Sequence, residues 1–166
     1  MKPRVAGGLL ALIVLAADQA SKLWLLYGIA MVDGQRIVLT PFFNIYLLWN
    51  PGISYSLFPQ ATAMGRFALL ALTALATILL AVWLWRTNGR LSALALGAII
   101  GGALGNGYDR FAYGAVADFC DFHIQGWHWY VFNIADTAIV LGVVALAYDG
   151  LFAERRHDQQ PNPSPS

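Results

Sequence analysis

The sequence has 166 residues, of which 58% are hydrophobic and 11% charged, with a formal net charge of +1. Because a soluble domain carries about 25% charged residues, this composition excludes an ordinary soluble enzyme and indicates a membrane protein. A net charge so close to zero also argues against a nucleic-acid partner, and we predict none.

Four apolar blocks predict four membrane-spanning helices. At about 1.5 Å per residue, a helix of about 20 residues crosses a hydrocarbon core about 30 Å thick. The first block begins like a secretory signal, with small residues at Ala16 and Ala17, but its apolar run resumes at Leu23, so we expect a retained helix. The blocks are residues 5–27, 67–85, 91–107 and 134–152.

Basic residues are distributed unevenly between the two sets of helix ends. Since they are enriched in cytoplasmic loops, their distribution predicts that both termini are cytoplasmic and the two longer loops are outside. One set of ends has six, Lys2, Arg4, Arg86, Arg90, Arg155 and Arg156, and the other has three, Arg36, Arg66 and Arg110.

The first long loop, residues 31–65, predicts a small outer sheet. RIVLTPFFNIYLLWN is rich in β-branched and aromatic residues, and Asn50-Pro51-Gly52 is a strong turn signal before ISYSLF. These elements, with the helices, predict one domain over residues 1–153.

The second outer segment, residues 108–131, is predicted to be a short helix or loop. It contains Asp109, Asp118 and Asp121, followed by Trp127, Trp129 and Tyr130, aromatic residues of the kind that favour the membrane interface. The Pro- and Ser-rich residues 154–166 are predicted to be a disordered cytoplasmic tail.

Asp18 and Lys22 are four residues apart in the first apolar block, so they share a helix face and can neutralise each other. Ionisable residues inside a membrane are candidates for function, but a structural pair that joins this helix to its neighbours is an equal alternative. Ser21 and Lys22 do not form a protease dyad, because adjacent helical residues point about 100° apart.

Glycines recur every four residues at Gly97, Gly101 and Gly105, which predicts close helix packing. Asn106, Asp109 and Arg110 follow at the outer end of the third block and are interpreted as a polar functional cluster.

A metal site is one possible use of the outer acids and histidines, Asp118, Asp121, His123 and His128. The chain has no H-E-x-x-H motif and these residues alternate with bulky aromatic residues, so we predict no metal and no cofactor. The one cysteine, Cys120, is interpreted as a small apolar filler.

Asp118 and Asp136 are candidates for an acid pair near the outer membrane surface. Two carboxyl groups in one site do not both ionise easily, so one of them keeps a proton. In such a pair the ionised group can deprotonate a water, and the other can hydrogen-bond the scissile carbonyl. The alternative is that Asp136 caps the fourth helix and Asp118 is a solvated loop acid. Two other functions remain open at this point: a proton-coupled carrier using Asp18, Lys22 and Asp136, and a non-catalytic scaffold that binds lipidated partners.

Five stretches together resemble one family, the lipoprotein signal peptidases, or signal peptidase II. They occur in the family's order and cover the chain except its tail: DQASK at 18–22, NPGISYS at 50–56, GGALGNGYDR at 101–110, VADF at 116–119 and FNIAD at 132–136.

The resemblance implies an intramembrane aspartic peptidase: four helices with a small outer sheet that cradles the substrate. It implies that Asp118 and Asp136 are catalytic. The residues that it assigns to substrate binding are Asn50, Gly52, Asn106, Arg110 and Asn133, and those assigned to structural support are Asp18, Lys22 and Asp109.

The resemblance also implies the substrate and the location. The substrate is a bacterial prolipoprotein with a diacylglyceryl cysteine, cleaved on the N-terminal side of that cysteine. The enzyme is expected to be a monomer among the lipids of the cytoplasmic (inner) membrane, with the active site near the outer face.

Overall fold

The structure, a computed structural model, describes residues 1–52 and 63–158. The predicted strand ISYSLF lies outside the described residues. The elements in chain order are α1 (Pro3–Leu23), β1 (Arg36–Thr40), β2 (Phe43–Asn50), α2 (Ala63–Arg86), α3 (Arg90–Ala112), β3 (Val116–Ile124), β4 (Trp127–His128) and α4 (Ile134–Asp158).

Among the described residues, four helices are long and apolar enough to cross a membrane, as the four apolar blocks predict. The first span continues α1 through a π-helical turn, Trp24–Gly28. Large apolar side chains such as Leu12, Leu75 and Val144 are more than half exposed on the helix surfaces, where they suit contact with lipid. The chain is therefore a multi-pass membrane protein.

Helix α3 lies at the centre of the bundle and packs against the other three helices. Its glycines permit this, because a Cβ at Gly97 would lie 2.9 Å from Gly7 Cα, and one at Gly101 would lie 3.0 Å from Ala11 Cα. The predicted packing role of the glycines is confirmed.

The strands form one antiparallel sheet in the order β1-β2-β3-β4 at one end of the bundle. An irregularity between Ile45 and Leu48 shifts the register of β2 against β3, so that Leu48 pairs with Asp118 and Asn44 with Asp121. A shift of this kind changes which side chains face the helices.

The expectation of a short helix or loop over residues 108–131 is wrong for most of that segment. Helix α3 continues to Ala112, and β3 and β4 occupy much of the remainder. The physical reason is that β2 has a free edge, which β3 fills with backbone hydrogen bonds while burying Val116 and Phe119.

The predicted disordered tail also begins too early, because α4 continues through residues 154–158. Glu154 and Arg155 are good helix formers, and no proline occurs in the predicted tail before Pro161. The remainder of the predicted tail, residues 159–166, lies outside the described residues.

Two apolar clusters flank the junction of helices and sheet. One is inside the bundle and includes Leu84, Leu96 and Ile100, whereas the other lies under the sheet and includes Leu47 and Phe119. Polar residues are buried at the junction between these clusters, and they form the candidate site described below.

We expect Gly97→Ala to lower the melting temperature in detergent, because the new Cβ meets the backbone of α1. Overpacking typically costs about 1–3 kcal/mol, and backbone relaxes less readily than a side chain. Gly8→Ala is the matched control, since a Cβ there meets no atom of the described chain within 4 Å. Equal melting temperatures for the two variants would contradict the proposed close contact of α1 and α3.

Candidate active site

Asp118 and Asp136 line the same cavity, of about 300 Å³, at the junction of sheet and bundle. Asp118 lies on β3 and is 1% exposed, whereas Asp136 lies in the first turn of α4 and is half-buried. Five further polar residues line the cavity: Asn50, Thr73, Asn106, Arg110 and Tyr130.

Asn133 connects the two acids directly. Its side-chain Nδ2 donates to Asp118 Oδ1 at 2.7 Å, and its backbone N–H donates to Asp136 Oδ2 at 3.2 Å. Its Oδ1 accepts the backbone N–H of Asp136 at 2.9 Å. Asn133 and Asp136 therefore form a reciprocal cap on α4, so the capping interpretation of Asp136 is correct and is compatible with a place in the cavity.

A second amide holds each acid from the other side. Asn50 Nδ2 donates to Asp118 Oδ2 at 3.0 Å, and Asn106 Nδ2 donates to Asp136 Oδ1 at 2.8 Å. Each carboxyl oxygen of the pair thus accepts an N–H from a neutral group. Amide donors fix the orientation of a carboxyl group without neutralising its charge.

The environment of Asp118 favours its neutral form. Burial raises the pKa of its carboxyl group, the nearby Asp136 raises it further, and the result is a pKa of about 7 despite the opposing bonds from Asn50 and Asn133. At neutral pH Asp118 is therefore a mixture of carboxyl and carboxylate. Such a group can hold a proton that its neighbour lacks.

A buried ion cluster lies directly behind the acids. Lys22 Nζ is 2.7 Å from Asp18 Oδ2 and 2.7 Å from Asp109 Oδ2, and all three side chains are at most 2% exposed. The predicted pairing of Asp18 with Lys22 is confirmed, and Asp109 joins it from α3. Since a buried charge is costly unless it is paired, the cluster joins α1 firmly to α3.

The remaining oxygens of the ion cluster hold the backbone beside each cavity acid. Asp18 Oδ1 accepts the N–H of Ala135 at 3.0 Å, and Asp109 Oδ2 accepts the N–H of Ala117 at 3.2 Å. Ala135 immediately precedes Asp136, and Ala117 immediately precedes Asp118. A displacement of the cluster would therefore be transmitted to both cavity acids.

Asn106 extends the connection through side chains. Its Oδ1 accepts from Lys22 Nζ at 3.3 Å and from Asn133 Nδ2 at 3.0 Å, while its Nδ2 binds Asp136. Asn106 thus contacts both the ion cluster, through Lys22, and Asp136 at the start of α4.

Arg110 and Gly52 meet at the mouth of the cavity. Arg110 donates to the carbonyl oxygen of Gly52 at 3.0 Å and to that of Asn106 at 3.3 Å. The turn after β2 is fixed further by the Gly52 N–H, which donates to Asn50 Oδ1 at 3.1 Å. All ten residues that the resemblance selects therefore lie in, or directly behind, one cavity.

Sequence reasoning missed Gln19. Its Nε2 donates to Asp18 Oδ2 at 3.1 Å, to Asp109 Oδ1 at 3.0 Å and to the Gly105 carbonyl at 3.2 Å. The available signal was its position inside a membrane span, where an amide needs partners. Tyr130 was assigned to the interface only, but its hydroxyl lies 3.3 Å from Asn50 Nδ2.

The side chains considered for a metal site divide into two groups. Asp121, His123 and His128 lie together on the sheet, whereas Asp118 faces the cavity and is not a member of that group. Cys120 is half-buried, and burial raises the pKa of its thiol to about 11. A thiol that stays protonated suits the predicted role of apolar filler.

The cavity continues from its polar end into an apolar region between helices. Its apolar walls come from α2, α3 and α4, and they include Leu69, Leu72, Ala76, Ala103 and Ile139. A ligand in this cavity would place polar atoms at the acids and apolar atoms among the helices.

Comparisons with known proteins agree with this geometry. Residues 10–152 match the family model described as signal peptidase (SPase) II. The chain is 56% identical over 155 residues to a lipoprotein signal peptidase of Methylocella silvestris, covering 93% of this chain and 91% of that protein. It is 56% identical over 154 residues to one of Beijerinckia indica, covering 93% and 92%.

The fold is similar to that of solved bacterial membrane enzymes. One, determined by the in meso method at 1.9 Å resolution, has a TM-score of 0.74 and 27% identity, covering 87% of this chain and 92% of that one. Another, at 2.3 Å resolution, has a TM-score of 0.73 and covers 96% of this chain and 94% of that one.

We expect Lys22→Met to destabilise the protein by about 3–5 kcal/mol, because it leaves two buried carboxylates without their cation. Thermal unfolding in detergent measures this loss. Lys2→Met is the control: it changes the other lysine of the chain, which is exposed, and it should unfold like the parent. Unchanged stability in Lys22→Met would show that the ion cluster does not hold the bundle.

Proposed function

The chain belongs to the signal peptidase II family, and we propose that it works as an aspartic peptidase with Asp118 and Asp136 as its catalytic groups. It is a membrane peptidase that cleaves the signal peptides of prolipoproteins, so the carrier and scaffold alternatives do not describe it. The observation that carries the catalytic proposal is the bridge by Asn133 between two acids in one cavity.

The two acids have different surroundings, which supports different roles. Asp118 is almost completely buried and has a raised pKa, so it suits the proton donor. Asp136 is more exposed to the cavity, and both its oxygens accept hydrogen bonds from N–H groups, so it suits the general base. A buried carboxyl group that keeps its proton, beside a second carboxyl group that is more exposed, can perform acid and base catalysis together.

In the proposed reaction, the Asp136 carboxylate removes a proton from water as the water oxygen attacks the scissile carbonyl carbon. The Asp118 carboxyl group donates its proton to the carbonyl oxygen, which forms a neutral tetrahedral intermediate. When the C–N bond breaks, the proton on Asp136 passes to the leaving amine and the proton on the hydroxyl returns to Asp118. The acid pair ends with the single proton with which it began.

The shape of the cavity supports a lipid-modified substrate. We propose that the peptide backbone binds at the polar end, near Asn50, Gly52 and Arg110, while apolar parts lie among Leu69, Leu72 and Ile139. A diacylglyceryl group on the substrate cysteine favours the bilayer strongly and fixes the depth of the neighbouring peptide bond. We propose cleavage on the N-terminal side of that cysteine, as the resemblance to the family implies.

We propose the inner membrane as the location, with both termini cytoplasmic and the sheet at the outer face. The distribution of basic residues supports this orientation, because Arg86 and Arg90 lie at the end of the bundle away from the sheet. One chain supplies every group of the proposed site, so we expect the monomer to be active without a cofactor.

We expect Asp118→Asn and Asp136→Asn each to reduce cleavage by at least about 10²-fold, the lower range for loss of acid–base catalysis. The measurement is release of the signal peptide from a diacylglyceryl-modified prolipoprotein peptide by purified protein in detergent. The same peptide without the lipid should be cleaved much more slowly. EDTA should leave the rate unchanged, because the proposed chemistry uses two carboxyl groups.

Asp33→Asn is the matched control for these variants. Asp33 is an exposed acid at the sheet, and it should retain parental activity. Activity that survives either Asp118→Asn or Asp136→Asn, with folding intact, would remove that residue from the chemistry while leaving the peptidase family unaffected.

We also expect cleavage to decline as pH rises through about 7. The raised pKa of Asp118 means that its proton is present below about pH 7 and lost above it, so the donor form disappears on the alkaline side. The value of kcat/KM should then fall about tenfold per pH unit. A profile that stays flat from about pH 6 to 9 would contradict the assignment of Asp118 as proton donor.

A further inference from the structure

Contrary to the expectation from the sequence, we propose that Asp121, His123 and His128 form a binding site for Zn²⁺ or a similar divalent transition metal, on the sheet and separate from the cavity acids. One ligand atom from each of the three lies within 4.8 Å of the others. This inference is independent of the peptidase chemistry, because none of the three residues lines the catalytic cavity.

The donor set selects the class of metal. Two imidazole nitrogens and one carboxylate oxygen are typical Zn²⁺ ligands and also suit Cu²⁺ and Ni²⁺, whereas Mg²⁺ and Ca²⁺ prefer oxygen ligands alone. Bonds of about 2.0–2.1 Å place neighbouring ligand atoms of a tetrahedral site about 3.4 Å apart. His128 Nδ1 is 2.8 Å from Asp121 Oδ1, so these two atoms must separate slightly to share a metal. The His123 nitrogen starts within 4.8 Å of both, so side-chain rotation alone can bring it to bonding distance.

The strands orient the ligands towards one another. His123 pairs with His128 across the β3–β4 hairpin, and their rings are stacked with centroids 5.1 Å apart. The tight turn between them contains Gln125 and Gly126, both with positive φ. Because two strands and a short turn fix the rings, little conformational entropy remains to be lost when a metal binds.

Asn44 provides a second, independent indication of a ligand. This side chain is 2% exposed, and its Oδ1 is buried without a hydrogen-bond partner in the part of the chain that the structure describes. Its Nδ2 lies 2.9 Å from Asp121 Oδ2 and 3.2 Å from His123 Nδ1, so the nitrogen end of the amide faces the cluster, and the unpartnered oxygen is the other end of the same group.

A half-turn of the Asn44 amide would exchange its two ends. The unpartnered oxygen would then face the cluster, where a cation would satisfy it as a fourth ligand. Since the oxygen and nitrogen of an amide are nearly the same size, the exchange preserves the packing. It removes the hydrogen bond from Asn44 Nδ2 to Asp121, and the bond from Oδ1 to the metal would replace it.

The surrounding charge permits a cation. Asp121 supplies one negative charge at the site, and the nearest cationic group is Arg36, whose Nε lies 3.9 Å from Asp121 Oδ2. The Arg36 side chain is 43% exposed and its guanidinium lies over the Tyr46 ring, so it can remain on the surface when a metal binds. Removal of this competing charge should strengthen metal binding.

The experiment is calorimetric titration of tag-free protein in detergent with Zn²⁺, beside Mg²⁺. We expect one saturable Zn²⁺ site and none for Mg²⁺. Each of three single variants should weaken Zn²⁺ binding by at least about tenfold: Asp121→Asn, His123→Ala and His128→Ala. Even the loss of a group that only hydrogen-bonds a metal ligand lowers metal affinity by about 10–100-fold. His157→Ala, which changes the third histidine of the chain, is the matched control and should bind like the parent.

Cu²⁺ paramagnetic resonance gives a readout that does not depend on the stability of the variants. The parent spectrum should show coupling to two imidazole nitrogens, and each single histidine variant at the site should show one. Arg36→Gln should bind Zn²⁺ more tightly than the parent.

Two results would overturn the proposal. One is a Zn²⁺ titration indistinguishable from that with Mg²⁺. The other is parental Zn²⁺ affinity in the triple variant Asp121→Asn, His123→Ala, His128→Ala. In either case Asp121 and His128 would be only a hydrogen-bonded pair that stabilises the sheet, and the cleavage assay would be unaffected.

Discussion

The buried ion cluster of Asp18, Lys22 and Asp109 is the interaction on which the arrangement of the site depends. Charges within a membrane bundle persist only when every one of them has partners, so the two helices that carry these residues cannot separate cheaply. Two carboxylates face one ammonium, and the excess acceptors are satisfied by Gln19 and by two backbone N–H groups.

Through those two N–H groups, the ion cluster also positions the residues of the candidate active site. They belong to the residues that immediately precede Asp118 and Asp136, which come from elements far apart in the sequence. A strand and the first turn of a helix are thus held at one depth by groups that belong to α1 and α3. Asn133 and Asn106 complete the link with hydrogen bonds to the acids themselves. Packing glycines bring the helix backbones close enough for these short side chains to reach one another.

A contact can be predicted from the sequence when its residues are close together in the chain, and not when they are far apart. Four helices are predictable because each span is contiguous, and the Asp18–Lys22 pair is predictable because its spacing is one helical turn. By contrast, β3 forms only because β2 offers a distant edge, so local pattern gave no signal for a strand at Asp118. Asp109 binds Lys22 and Gln19 through contacts between helices, which neither periodicity nor propensity can indicate. Residue type and position make Asp118 and Asp136 candidates for an acid pair, but only the motif resemblance selects them over the alternatives. Their catalytic role is a prediction that the shared cavity supports.

The measurement that tests this account most directly is a titration of the aspartate carboxyl carbons by ¹³C NMR in detergent. The account predicts a carboxyl group that titrates near pH 7, disappears in Asp118→Asn and moves to lower pH in Asp136→Asn, because removal of the neighbouring charge lowers the pKa of Asp118. A titration near pH 7 that is identical in the parent and in Asp136→Asn would contradict it, since the two acids would then not share a site.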